Sequence, residues 1–440
     1  MKAIISRLVS ANRIILTNAS SLISSTLIAS ALGFAYWWLA ARFFSQHAVG
    51  VASASVSAMQ LFGSLGVMGL STLLISELPQ SAEEAPSLIC TALCVAGAAS
   101  FALGLGFSVV APLVAPDLGD LATPSHSLQF AAGVSLTAMN TVLDQATIGL
   151  LRGHLQLWRN AFFAVAKLVI LYAAAMFVSL RTGMGIYTSW TLASLLSFLF
   201  LLWFSRRIIS TGDAFRPRWG LLRRLGRAAL SHHALNITLQ GPRLLLPLIV
   251  TAMLSAATNA HFYVALMIAN FIYMVPISLT TVLHAVGMAQ REALIQRLRS
   301  TFAMSLAAGL GANLVTLVAA DWMLRIFGHS YAEEARACLQ ILALAVFPII
   351  IRYHYVSLAR IHGFVLSAAL WLTIGGLLEL GMAAAGAAMG GLSGLSWGWL
   401  LAMALQAAAM FPALYRLALG QIVRQLLRRD AMPAVPTSAE

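Results

Sequence analysis

Charge is scarce in this sequence. Asp, Glu, Lys and Arg make up 9% of its 440 residues, where a soluble domain carries roughly 25%, so a water-soluble core of this size is excluded. The charge that remains leans one way, with 27 Lys and Arg against 14 Asp and Glu and a net charge of +13. Only Cys90, Cys94 and Cys338 occur, in or beside apolar runs and without CxxC spacing. That removes disulfide, metal and redox readings and leaves them as packing residues. Walker A, HExxH and Gly-x-Ser-x-Gly sequences are missing, as is an Asp-rich catalytic loop. No catalytic residue, resident metal or cofactor is therefore expected.

What the chain has instead is apolar length: 60% hydrophobic residues and a mean hydropathy of +0.86. A bilayer-crossing helix needs about 20 apolar residues, enough to cover about 30 Å at 1.5 Å per residue. On that criterion spans are expected at 14–41, 48–74, 86–112, 125–150, 160–180 and 186–205, then at 229–254, 261–287, 301–320, 335–359, 363–388 and 393–416. The first run is about twice the 7–15 residues of a signal-peptide core and reads as a retained anchor. Between the last two spans, Gly386, Gly390, Gly394 and Gly398 read equally as a helix-packing face or as a loop.

Lys and Arg flanking the spans set orientation. With a cytoplasmic N-terminus, inside segments hold 20 of the 27 basic residues, among them Arg152, Arg159, Arg206, Arg207, Arg223 and Arg224, and outside segments hold only Arg42, Arg181, Arg325 and Arg336. Both termini are expected in the cytoplasm. The basic excess then meets anionic lipid headgroups, and nucleic-acid binding, which would need a basic soluble domain, is set aside. Phe215, Trp219, Leu221, Leu222 and Leu225 interleave with arginines in the long connection 206–228, as in a segment lying on the membrane surface. The stretches around Ile4–Val9 and Ile422–Leu427 read the same way, and the tail beyond Asp430 as disordered.

The connection divides the chain into an N-terminal lobe (1–205), a linker (206–228), a C-terminal lobe (229–416) and a cytoplasmic tail (417–440). An offset of about 210 residues aligns Phe44-Ser45 with Leu254-Ser255 and Leu70-Ser71-Thr72 with Leu279-Thr280-Thr281. The expected fold is thus an all-α polytopic membrane protein of about 12 helices, in two six-helix lobes related by a pseudo-two-fold axis along the membrane normal.

Charges inside spans are costly and mark function or pairing. Asp144 lies on a polar stripe with Thr137, Asn140 and Thr141, and its depth suggests either an ion pair with Lys167 or a proton or sodium site. Arg243 lies mid-span just after Gly241-Pro242, with Asn236 and Gln240 on the same helix, and a fixed cation there suits a phosphate-bearing substrate. Glu379 is its expected partner. Arg352, after Pro348 and beside Tyr353, His354 and Tyr355, reads as substrate-binding or as snorkelling to the inner surface. His232, His233 and His284 read as interfacial, and Tyr36, Trp37 and Trp38 as an aromatic belt or a sugar-stacking surface.

The layout resembles the polysaccharide flippases of the multidrug, oligosaccharidyl-lipid and polysaccharide exporter superfamily. Carrying the resemblance are the six-plus-six spans, the basic central loop, Leu39-Ala40-Ala41-Arg42-Phe43-Phe44 followed by Val49-Gly50-Val51, and Leu151-Arg152-Gly153. Pro242 stands where many relatives carry an acidic residue. The resemblance implies transfer of a polyprenyl-pyrophosphate-linked oligosaccharide across the bacterial inner membrane by alternating access. Arg243, Arg352, Lys167, Asn236 and Gln240 would then bind substrate, with Asp144 and Glu379 as ion-coupling candidates. It further implies work alongside glycosyltransferases and a polysaccharide polymerase. Two competing readings are an ion-coupled exporter of organic cations and a membrane-embedded glycan polymerase or transferase. The first needs an acidic cavity, and the second a larger extramembrane domain than these loops provide.

Overall fold

The computed structural model describes residues 30–79, 84–205, 216–220, 227–289 and 294–430. The expected surface segment at Ile4–Val9, most of the basic connection and the tail after Asp430 lie outside them. Among the described residues the structure is helical, with short 3-10 turns and no strand.

Residues 30–43 form α1. It is followed by α2 (Gln46–Gly66), α3 (Leu70–Glu77), α4 (Ala85–Val114), α5 (Pro124–Gly149), α6 (Gly153–Met176) and α7 (Gly183–Ser205). Then come α8 (Arg227–Met253), α9 (Ala256–Ala289), α10 (Leu294–Arg325), α11 (His329–Leu344), α12 (Val346–His362) and α13 (Val365–Asp430). From residue 30 onward these helices fall on the expected spans, residues 14–29 of the first span lying outside the described residues, and the chain is a multi-pass membrane protein.

Local chemistry sets the ends and breaks. Ser45 caps α2 by accepting from the Ala48 amide at 3.2 Å, and Ser255 accepts from the Thr258 amide at 3.0 Å at the start of α9. The two serines aligned by the repeat thus perform the same capping. The second expected span is broken between α2 and α3, where Met68 (φ 48°) and Gly69 (φ 82°) are left-handed. Glycine tolerates that conformation and methionine is strained by it. Within α13, Gly390 and Gly391 leave helical geometry and turn the chain back, so α13 is two antiparallel helices. A Cβ on Gly394 would lie 2.1 Å from the Gly386 carbonyl oxygen, and one on Gly398 equally close to that of Met382. The glycine series is therefore both turn and packing face.

By their contacts the residues form two compact units, Met1–Val264 with Leu324–Glu333, and Ala265–Met323 with Glu334–Glu440. In the first, Leu70, Leu73 and Leu74 of α3 pack with Leu88 and Ala92 of α4, Val142 and Ala146 of α5 and Leu201 of α7. Helix α8 belongs to this unit and packs on α2 and α3. In the second, Leu283, Leu298, Leu358, Ile361 and Leu414 form a core. There Cys338 is buried and accepts a hydrogen bond from Ser396, consistent with a packing role. Eight described helical stretches are long and apolar enough to cross a bilayer. Two equally long helices, α5 and α8, are not among them, because each carries a polar stripe.

Candidate functional site

The polar stripe of α5 divides between two neighbours. Asn140 and Asp144 face α6, where Arg159 donates to both carboxylate oxygens of Asp144, from Nε at 2.9 Å and from Nη2 at 2.5 Å. Arg159 also donates to the side-chain oxygens of Asn140 and Asn160, and Gln156 adds a hydrogen bond to Asp144. The expected Asp144–Lys167 pair is not formed. Antiparallel helices pair residues equidistant from their turn. The turn lies at Leu150–Arg152, which sets Asp144 opposite Arg159. Measuring depth from an expected span start at residue 160, when α6 begins at Gly153, displaced the partner by two turns. Arg159 is consequently buried and is not an interfacial cation.

Lys167 sits farther along α6, buried, with its ammonium 4.4 Å from the ring centre of Trp190, 5.1 Å from Phe163 and 5.2 Å from Tyr36. Among the described residues no carboxylate pairs with it. Each ring face attracts the cation by roughly 0.5–2 kcal/mol, which offsets part of the cost of burying the charge. Tyr36 is fixed by donating to the Ile186 carbonyl at 2.8 Å and by a hydrogen bond with Ser189. Its ring meets Trp37 edge-on, and Trp37 lies 4.6 Å from Tyr263. The Tyr263 ring thus lies against the Trp37 indole and within electrostatic reach of Arg243. Two cations from α6 and α8 are thus joined through Tyr36, Trp37 and Tyr263. Tyr36 and Trp37 are buried, so of the three expected belt aromatics only Trp38 is open, and its indole donates to the Ile326 carbonyl.

Asn236 and Gln240 also belong to this unit. They line a cavity of about 250 Å³ with residues of α2, α3 and α5, including Ser64, Ser71, Thr72, Thr141 and Gln145. His233, expected at the interface, lines it too. Gly241 leaves its wall open, since a Cβ there would meet only Leu61, at 4.0 Å.

The remaining two candidates pair in the second unit. Arg352 of α12 donates to the Glu379 carboxylate and to the Gln406 side-chain oxygen, and Trp399 donates to the other Glu379 oxygen at 2.9 Å. Glu379 is therefore the partner of Arg352 and not of Arg243. Arg352 is buried and does not snorkel. Gly375 makes the room, since a Cβ there would fall on the Gln406 amide. Sequence reasoning missed Trp190, Phe163 and Tyr263, which carry no charge and read as ordinary apolar filling. No group of His, Cys, Asp and Glu that could hold a metal ion occurs among the described residues.

No protein-family model matches the sequence, and no curated protein matches it. Solved structures do resemble the fold. The Lipid II flippase MurJ in an inward closed conformation is similar with a TM-score of 0.64 at 12% identity, over 93% of each chain. A multidrug resistance MATE family transporter of the MOP superfamily, inward-facing, gives 0.62 at 15% identity over 92% of this chain and 95% of that one. A MOP superfamily transporter from Pyrococcus furiosus, described by a reversed polarity of its binding pocket, gives 0.62 at 12% identity over 93% and 96%. At such identities the likeness establishes the fold alone: this chain is folded as the MOP superfamily transporters are.

Proposed function

We propose that this protein translocates a polyprenyl-pyrophosphate-linked oligosaccharide across the bacterial inner membrane, with both termini in the cytoplasm, by alternating access. The observation that carries the reading is the pair of cations, Lys167 and Arg243, set in aromatic surroundings without a carboxylate beside Lys167. Pyrophosphate needs fixed positive charge, which both side chains supply, and sugar rings stack on aromatic faces. The cargo of the similar Lipid II flippase gives this fold a precedent for a lipid-linked substrate. Glycosyltransferases would supply the substrate on the inner leaflet, and a polymerase would consume it on the outer one.

An exporter of organic cations is less well supported, because its site needs bare carboxylates. The two acids within the spans, Asp144 and Glu379, are each held by an arginine. Serving as a proton or sodium site would require either pair to break first, so we assign both pairs a structural role.

Replacing Arg243 by Ala should abolish translocation of labelled glycolipid in reconstituted vesicles, with the lipid-linked glycan retained on the loading leaflet. Wild-type translocation by that variant would refute the assignment.

A further inference from the structure

We infer that the cavity between α2, α3, α5 and α8 is a subsite for an uncharged sugar, the residue of the glycan attached directly to the pyrophosphate. The inference rests on the transport reading above and assigns the cavity a separate share of the same substrate.

The cavity walls hold no Asp, Glu, Lys or Arg. Their polar groups are serine and threonine hydroxyls, the amides of Gln145, Asn236 and Gln240, and the imidazole of His233. Such groups both donate and accept hydrogen bonds, as sugar hydroxyls do, and they offer no fixed charge to an ion. Leu61, Ile75 and Leu244 complete the lining and provide apolar surface for the C–H face of a pyranose. A volume of about 250 Å³ leaves room for a sugar ring.

Position on α8 ties this cavity to the cationic cluster. Asn236, Gln240 and Arg243 follow i, i+4, i+7 spacing and share one helix face. At 1.5 Å per residue, Gln240 lies about 4.5 Å and Asn236 about 10.5 Å along the axis from Arg243. The first sugar is bonded to the pyrophosphate, so a phosphate held by Arg243 delivers that ring to the amides one and two turns away. In the orientation expected from the arginines, the cavity lies on the cytoplasmic side of Arg243, where a glycan entering from the inner leaflet would trail.

The test is binding to the purified full-length protein in lipid nanodiscs. The probes are polyprenyl pyrophosphate alone and the same lipid carrying a single glucose, galactose or N-acetylglucosamine. At least one glycosylated probe should bind the wild type about tenfold more tightly than the bare lipid. The near-isosteric Thr141→Val combined with Asn236→Leu should erase that preference while keeping the affinity for bare polyprenyl pyrophosphate, which also shows that the variant is folded. Arg243→Ala should weaken every probe. A wild type that does not prefer any glycosylated probe, or a preference that survives T141V/N236L, overturns the subsite and leaves the transport reading standing. Failure of the wild type to bind any probe removes both.

Discussion

Glu379 illustrates how a single buried residue limits what its surroundings can do. Both of its oxygens are taken, by Arg352 and Trp399, and removing one member of a buried ion pair typically costs about 3–5 kcal/mol because the other charge is left without compensation. Glu379→Gln should therefore lower the thermal unfolding midpoint of the purified protein sharply. Combining Glu379→Leu with Arg352→Met, which removes both charges, should restore most of the loss. A midpoint unmoved by Glu379→Gln would argue against a structural pair. Lys167 is the opposite case, since aromatic rings surround it and no carboxylate among the described residues pairs with it. Lys167→Met takes away a costly buried charge, so the expected outcome is unchanged or increased thermal stability together with lost affinity for polyprenyl pyrophosphate. Loss of stability alone would make the ammonium a packing element and not a substrate contact.

At the scale of the element, glycine decides where helices stop and how near they come. The turn at Gly390–Gly391 and the backbone contact of Gly386 with Gly394 hold the two arms of α13 closer than any side chain would permit. Gly394→Leu should force the arms apart and destabilise the protein by at least about 1–3 kcal/mol, the usual range for overpacking. Differential scanning fluorimetry against Gly381→Leu checks this, because a Cβ at Gly381 meets no atom within 4 Å; equal effects of the two changes would contradict the close-packing account. Periodicity placed these helices correctly but read the second span as one rod. The break rests on Met68 and Gly69 in left-handed backbone, and a single glycine within an apolar run does not announce such a conformation. The α5–α6 hairpin departs from the expected pairing for a related reason. Apolar runs locate helix middles, whereas ion-pair registry depends on the turn.

For the whole molecule, the arginine asymmetry makes a definite statement about sidedness. In a background with Cys90, Cys94 and Cys338 replaced by Ser, Leu151→Cys and Val178→Cys place exposed thiols at opposite ends of α6. A membrane-impermeant maleimide should label Val178→Cys in intact cells and Leu151→Cys only after permeabilisation. The reverse pattern would invert the orientation, and with it the leaflet from which the cavity beside Asn236 is loaded. That cavity was half legible in the sequence. Asn236 and Gln240 stood out as amides in a span, but Ser64, Ser71 and Gln145 come from three other stretches of chain, and nothing local marks them as neighbours.

The sequence alone determined the solvent, the number of crossings and the helical fold, because these follow from how much apolar length lies between charges and that quantity is local. It also identified most of the charges that matter. The tertiary structure decided their partners, giving Asp144 to Arg159, Glu379 to Arg352, and Lys167 to three rings. Pairing inside a membrane depends on the rotation and registry of one helix against another, and a shift of a single turn, about 5.4 Å, exchanges one partner for the next while leaving hydropathy unchanged.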